Sequence, residues 1–252
     1  MIDVSNVTKA YGDAIVVDGV DLAIPAGGFT SIIGPNGAGK STLLSMIGRL
    51  TPMTSGSVRV DGLDVARTPT AELARRLAVL RQENVMAARL TVRDLVGFGR
   101  YPHSRGRLTA EDRRHVDEAI GFLDLEPLAD RFIDEMSGGQ RQRAHVAMIL
   151  AQGTDYVLLD EPLNNLDMKH AASMMKLFRR AADDLGRTIV AVLHDVNFAA
   201  HYSDRIVAMR EGRVLHVGPP EEIVTPQVMR DVYDHEISVH EIDGRRVAMF
   251  YR

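Results

Sequence analysis

Cysteine is absent from the 252 residues of the chain, so neither a disulfide framework nor a thiolate metal site is possible, which fits a reducing compartment. A positive global field is missing too. Thirty Lys and Arg stand against 34 Asp and Glu, for a net charge of -4, which argues against a nucleic-acid partner. Long hydrophobic runs are also lacking. The longest, Tyr156 to Leu159 and Ile189 to Leu193, fall far short of the ~20 residues that span a bilayer. The start, Met1-Ile2-Asp3-Val4-Ser5-Asn6, has neither the basic opening nor the apolar core of a secretory signal, so the mature protein is expected to begin near Met1. Membrane association is therefore expected to come through a partner. The nine histidines are scattered, with no tight spacing on one helix that would suggest metal ligands. There is no internal repeat, heptad array or low-complexity linker.

What is present suits a folded globular chain: 45% hydrophobic and 25% charged residues, at a length that can bury a substantial core. Val20, Leu22 and Ile24 alternate with polar or small neighbours before the turn Pro25-Ala26-Gly27-Gly28, which predicts antiparallel strands at the N-terminus. Short apolar strands followed by helices come next. Thr30 to Ile33 precedes a helix from about Lys40, Val157 to Leu159 precedes Met168 to Leu185, and Ile189 to Leu193 precedes Val196 to Tyr202. This alternation predicts an α/β core with a mainly parallel sheet. Between these units, Thr109 caps an expected helix whose Val116, Ala119, Ile120 and Leu123 form one apolar stripe, so the middle of the chain reads as a helical lobe. Strands return in the tail. Ile206 to Met209 turns at Glu211-Gly212, and a last hairpin turns at Asp243-Gly244 between Ile237, Val239, Val247 and Met249.

The segment Gly34-Pro35-Asn36-Gly37-Ala38-Gly39-Lys40-Ser41 matches the phosphate-binding pattern G-x-x-x-x-G-K-[ST] and sits between an apolar strand and a helix. Its glycines let backbone N–H groups and the dipole of the following helix point at phosphates. Lys40 adds a point charge between the β- and γ-phosphates. Ser41 is placed to offer a hydroxyl to Mg²⁺, and Thr42 can reach another phosphate oxygen. The ligands implied by this loop are the phosphates of a nucleotide with Mg²⁺. Downstream, Tyr156-Val157-Leu158-Leu159-Asp160-Glu161-Pro162 reads as a buried strand ending in adjacent carboxylates. Strand alternation is expected to turn Asp160 towards Mg²⁺ and Glu161 towards an attacking water, with Pro162 stopping the strand.

A third motif narrows the class. Met136-Ser137-Gly138-Gly139-Gln140-Arg141-Gln142-Arg143 resembles the ABC signature L-S-G-G-Q-x-[QE]-R. Ser137 and Gln140 have capping-box spacing, and the glycine pair leaves the first N–H groups of the helix uncovered, an anion-binding end with a serine hydroxyl attached. Nearly the whole chain then resembles an ABC nucleotide-binding domain. The resemblance implies a phosphate-loop NTPase core with an N-terminal antiparallel β-subdomain and a helical signature subdomain. It gives one domain over 1–252, with the helical part at about 84–155 and the hairpin at about 236–251.

The same resemblance implies that the nucleotide is ATP, and it implies further roles. Tyr11 stands where an aromatic stacks on adenine, and Gln82 where a loop glutamine joins Mg²⁺ to the permease interface. Asp167 stands where the D-loop couples two subunits, and His194 where the switch histidine contacts the γ-phosphate. Glu161, His194 and Lys40 are thus the expected catalytic residues, and Ser41, Gln82 and Asp160 the expected Mg²⁺ residues. Two copies are expected to sandwich two ATP molecules, each phosphate loop facing the Ser137-Gly138-Gly139 end of the other copy. The sequence departs from the family pattern at Met136, at Leu163-Asn164-Asn165, and at Ala147-Met148-Ile149-Leu150, which lacks a basic helix position.

Cargo is addressed by resemblance alone. The run from Leu90 to His103 looks like the permease-facing segment of importers for iron–siderophores, haem and cobalamin, and Pro162 to His170 resembles the ferric-siderophore branch most closely. The expectation is a peripheral subunit on the cytoplasmic face of the membrane, working with a permease and a periplasmic or lipoprotein binding protein. A haem or cobalamin importer ATPase and a soluble ATPase of iron–sulfur cluster assembly are the alternatives. Arg100, Arg105 and Arg107 have a plainer reading as a solvated basic loop.

Overall fold

The computed structural model describes residues 1–81, 89–164 and 166–250. The N-terminal strands β1 (Ile2–Tyr11) and β2 (Ala14–Ile24) pair antiparallel, and β3 (Phe29–Ile33) leads through the phosphate-loop motif into α1 (Lys40–Ile47). Next come β4 (Ser55–Val60), β5 (Leu63–Asp64), α2 (Thr70–Leu73) and β6 (Leu77–Leu80). A helical stretch follows, with α3 (Val92–Phe98), α4 (Tyr101–Ser104), α5 (Ala110–Phe122) and α6 (Gly138–Ala151). The chain returns to sheet and helix through β7 (Tyr156–Asp160), α7 (Met168–Asp183), β8 (Thr188–Val192), α8 (Val196–Tyr202), β9 (Arg205–Arg210) and β10 (Arg213–Gly218). It ends with α9 (Pro220–Ile223), α10 (Pro226–Tyr233), β11 (Ser238–Ile242) and β12 (Arg245–Met249).

One sheet is antiparallel in the order β2-β1-β4-β5, and the main sheet runs β10-β9-β3-β8-β7-β6. All neighbours from β9 to β6 are parallel, and β10 joins the edge antiparallel. Alternate residues of these strands face two different apolar layers. Phe29, Ile33, Leu159 and Ala191 pack with residues of α6, α7 and α8, while Ile32, Leu158, Val190 and Val192 pack with α1 and the antiparallel sheet. Burial on both faces explains why the strands read as short continuous apolar runs. Helix α7 presents Ala171, Met174, Met175 and Phe178 as one buried stripe. Each large side chain so buried contributes ~1.5–3 kcal/mol.

Helix α5 begins with the cap its sequence suggests. Thr109 caps α5 in a box with Asp112, and Thr91 caps α3 in a box with Asp94. Arg100 corrects the plainer sequence reading. It is 5% exposed, with Nε 2.9 Å from Asp112 Oδ1 and Nη1 2.9 Å from the Ala151 carbonyl, so it pins the start of α5 to the end of α6. Arg105 and Arg107 are exposed, as a solvated loop requires. Among the described residues no helix is long and apolar enough to cross a membrane.

Candidate functional site

Because β8 lies between β3 and β7 and all three are parallel, their carboxyl ends converge. Ligands of open α/β sheets bind at such ends. The loop after β3 carries Gly34 to Gly39, β7 ends on Asp160, and His194 follows β8. A cavity of about 420 Å³ opens there, lined by Asn36 to Thr42, Val16, Glu161 and His194.

Two glycines of the loop are demanded by space. A Cβ on Gly34 would lie 2.0 Å from the Met209 carbonyl, and one on Gly39 would lie 2.5 Å from the Val16 carbonyl, at φ +92°. Gly39 is also the N-cap of α1 and brings no side chain to that end, so its N–H groups face the cavity uncovered. Lys40 is buried, and its Nζ donates to the carbonyls of Gly34 at 2.8 Å and Pro35 at 2.9 Å. Burial pulls its pKa below the ordinary lysine value, against the upward pull of Glu161 and Asp160.

At the end of β7, burial raises the Asp160 pKa, opposed by a hydrogen bond from the Ser41 hydroxyl. Asp160 Oδ1 is nevertheless buried with no hydrogen-bond partner. Glu161 has a different geometry from the one strand alternation predicts. The strand stops at Asp160, and Glu161 takes the left-handed conformation at φ +48°. Glu161 therefore leaves the strand through a turn, in a conformation that costs a non-glycine residue strain unless its surroundings enforce it.

Those surroundings are specific. Glu161 Oε1 lies 2.8 Å from His194 Nε2, and Asn164 Nδ2 donates to Glu161 Oε2 at 2.5 Å. Gln142 of α6 donates through Nε2 to the Pro162 carbonyl at 3.0 Å, tying the signature helix to the same turn. His194 is followed by Asp195, which caps α8 by accepting from the Asn197 N–H at 2.7 Å and the Phe198 N–H at 3.3 Å. Behind Glu161 and His194 lies a second, mainly apolar cavity of about 650 Å³, walled by residues of α7, α8 and β12.

Several expected site residues stand elsewhere. Ser137 caps α6 in the expected box, accepting from the Gln140 N–H at 3.3 Å while Gln140 Oε1 accepts from the Ser137 N–H at 3.1 Å. That helix end, with Gly138 and Gly139, does not line the phosphate-loop cavity. Asp167 caps α7 by accepting from the His170 N–H at 2.8 Å. Tyr11 is 55% exposed at the end of β1, with Lys9 Nζ 4.6 Å from its ring centroid. Gln82 lies outside the described residues. Val16, Gln142 and Asn164 have no role assigned by the sequence motifs. For Asn164 a signal existed, since an asparagine three residues beyond an acid in a turn can reach back to it.

Comparison with known proteins gives the family of the chain. A family model described as ABC transporter matches residues 17–164. Over 239 residues the chain is 53% identical to the petrobactin import ATP-binding protein FatE of Bacillus anthracis, covering 95% of this chain and 96% of that one. Over 251 residues it is 48% identical to the petrobactin import ATP-binding protein YclP of Bacillus subtilis (strain 168), covering all of both. Among solved structures, the dimeric bacterial ABC transporter cassette MJ0796 aligns with a TM-score of 0.77 at 32% identity, covering 87% of this chain and 99% of that one. With a family model spanning more than half its length and relatives matching it almost throughout, the chain belongs to the ABC transporter family, as one of its ATPase cassettes.

Proposed function

We propose that this ATPase drives a ferric-siderophore importer, seated on the cytoplasmic face of the membrane against a separate permease. The observation that carries the cargo is the 48% and 53% identity, over nearly the whole chain, to two petrobactin import subunits. A periplasmic or lipoprotein binding protein delivers the siderophore in this reading.

In the mechanism, the α1 N-terminus and the glycine-loop amides hold the phosphates of ATP, and Lys40 exchanges its two loop carbonyls for β- and γ-phosphate oxygens. Tyr11 receives the adenine. The donor set fits Mg²⁺, because a buried, unpartnered Asp160 Oδ1 stands beside the Ser41 hydroxyl, a hard-oxygen environment. Ser41 and Asp160 would hold the ion, with Gln82 as the further ligand. Such an ion, when bound, neutralises charge on the phosphate oxygens.

Glu161 orients the attacking water and takes its proton, while His194 fixes the carboxylate and reaches for the γ-phosphate. Each site is completed by Ser137, Gly138, Gly139 and Gln140 of a second copy, with Asp167 joining the halves. Closure of that sandwich moves the permease, and hydrolysis with product release reopens it.

The cargo is tested in the native cell by deleting the chain's gene and supplying ferric petrobactin as sole iron source. Growth should be lost there and kept on ferrous iron. Undiminished growth on ferric petrobactin, with no other siderophore phenotype, contradicts the cargo.

A further inference from the structure

We propose that Asn164 is a positioning residue for hydrolysis, its side-chain amide holding the second carboxylate oxygen of Glu161 from the side away from the nucleotide. The proposal rests on the reading of Glu161 as the base.

Glu161 has two oxygens and each has its own fixed donor, His194 Nε2 at 2.8 Å on Oε1 and Asn164 Nδ2 at 2.5 Å on Oε2. One contact alone leaves a carboxylate free to rotate about its last torsion, whereas two from different directions fix its plane. A carboxylate offers about four lone-pair sites, so both contacts leave acceptor capacity for a water. Placement supports the assignment. Glu161 and His194 line both cavities, but Asn164 lines only the apolar one walled by α7, α8 and β12. The amide therefore grips the base without taking space needed by phosphate or water.

The local backbone makes the grip possible. The Asn164 N–H closes a turn onto the Glu161 carbonyl at 3.2 Å, and the left-handed φ of Glu161 directs its side chain back over that turn. Gln142 anchors the turn at the Pro162 carbonyl. An amide donor also suits the chemistry, because it orients the carboxylate without adding charge beside Lys40, Asp160 and His194. An aspartate of the same shape would remove the donor and set a like charge against Glu161.

The test is steady-state MgATP turnover of the full chain carrying Asn164→Ala, Asn164→Asp or Asn164→Ser, with thermal melts alongside. Asn164→Ala should lower kcat about tenfold while KM for ATP stays within about twofold, the loss expected when a charged acceptor loses one donor. Asn164→Asp should be worse, by about a hundredfold in kcat, and Asn164→Ser, which keeps a short donor, should recover part of the Ala loss. In a Glu161→Gln background, single-turnover rates should change less than about twofold on adding Asn164→Ala, because the carboxylate it positions is gone. An Asn164→Asp variant as active as wild type, or an Asn164→Ala loss that appears equally in the Glu161→Gln background, overturns the proposal. Should Glu161→Gln itself turn over normally, the reading of the base fails. If Glu161→Gln is inactive and Asn164→Ala is unaffected, only the positioning role fails.

Discussion

His194 Nε2 lies 2.8 Å from Glu161 Oε1, joining the residues that follow two neighbouring parallel strands, β8 and β7. The contact brings a general-base candidate and its orienting imidazole to one wall of the phosphate-loop cavity, so their substitutions should have separable effects.

Glu161→Gln keeps the size of the side chain and most of its hydrogen bonding but removes the carboxylate proposed to deprotonate water. Hydrolysis should fall ~10²–10⁴-fold, about 3–5 kcal/mol of barrier, with ATP affinity retained. ATP-bound dimers should accumulate, visible by size-exclusion chromatography with and without MgATP. Turnover within a few-fold of wild type would make His194 the next candidate for water activation.

Lys40→Ala should act on binding instead. The loop amides survive the change, but the main localised charge proposed for the phosphates is lost, so MgATP affinity should weaken ~10–100-fold in a calorimetric titration. Unchanged affinity would remove Lys40 from the phosphate site.

Arg100 and Asp112 form a buried pair at 2.9 Å, with both side chains about 95% covered. Arg100→Ala leaves the buried Asp112 charge with its Thr109 contacts but no cation, and should cost ~3 kcal/mol in denaturant unfolding. The pH dependence has a definite sign. The Thr109 N–H, with help from the Thr109 hydroxyl and Arg100, lowers the Asp112 pKa from 3.8 to about 2. A depressed carboxylate pKa stabilises the fold above the unfolded value, so this contribution is complete above about pH 4 and is lost as pH falls towards 2. Arg100→Ala should make the acid limb of the stability profile shallower in that window without abolishing it, because the Thr109 contacts remain.

Motifs that act through local backbone were legible in the sequence. The phosphate loop, the Ser137–Gln140 box and the Thr109 cap depend on spacing within a few residues, and each has the expected form. The order of parallel strands was not legible, and it is what sets His194 between the loop and Glu161. Alternation along β7 did not reveal the left-handed turn at Glu161, which lies outside any periodic pattern. Arg100 looked like a solvated cation since its partner, Asp112, belongs to the next long helix and only packing brings the two together.

Ser137→Arg tests whether the site is shared between copies. Ser137 is exposed at the start of α6 and absent from the wall of the cavity that holds Lys40 and Glu161, so the phosphate contact proposed for it requires a second copy. An arginine there should leave ATP binding to the monomer nearly intact, while its bulk blocks the γ-phosphate site of the opposing copy and abolishes cooperative turnover. Losing the cap costs ~1 kcal/mol of helix stability, and Ser137→Ala carries that same cost without the bulk. Equilibrium ATP binding below the dimerisation concentration, turnover against protein concentration and a thermal melt of each variant separate the effects. Arginine should eliminate the rise of specific activity with concentration, and alanine should only reduce it. Equal loss of monomer binding in Ser137→Arg would put the signature serine in its own subunit's site and refute the sandwich.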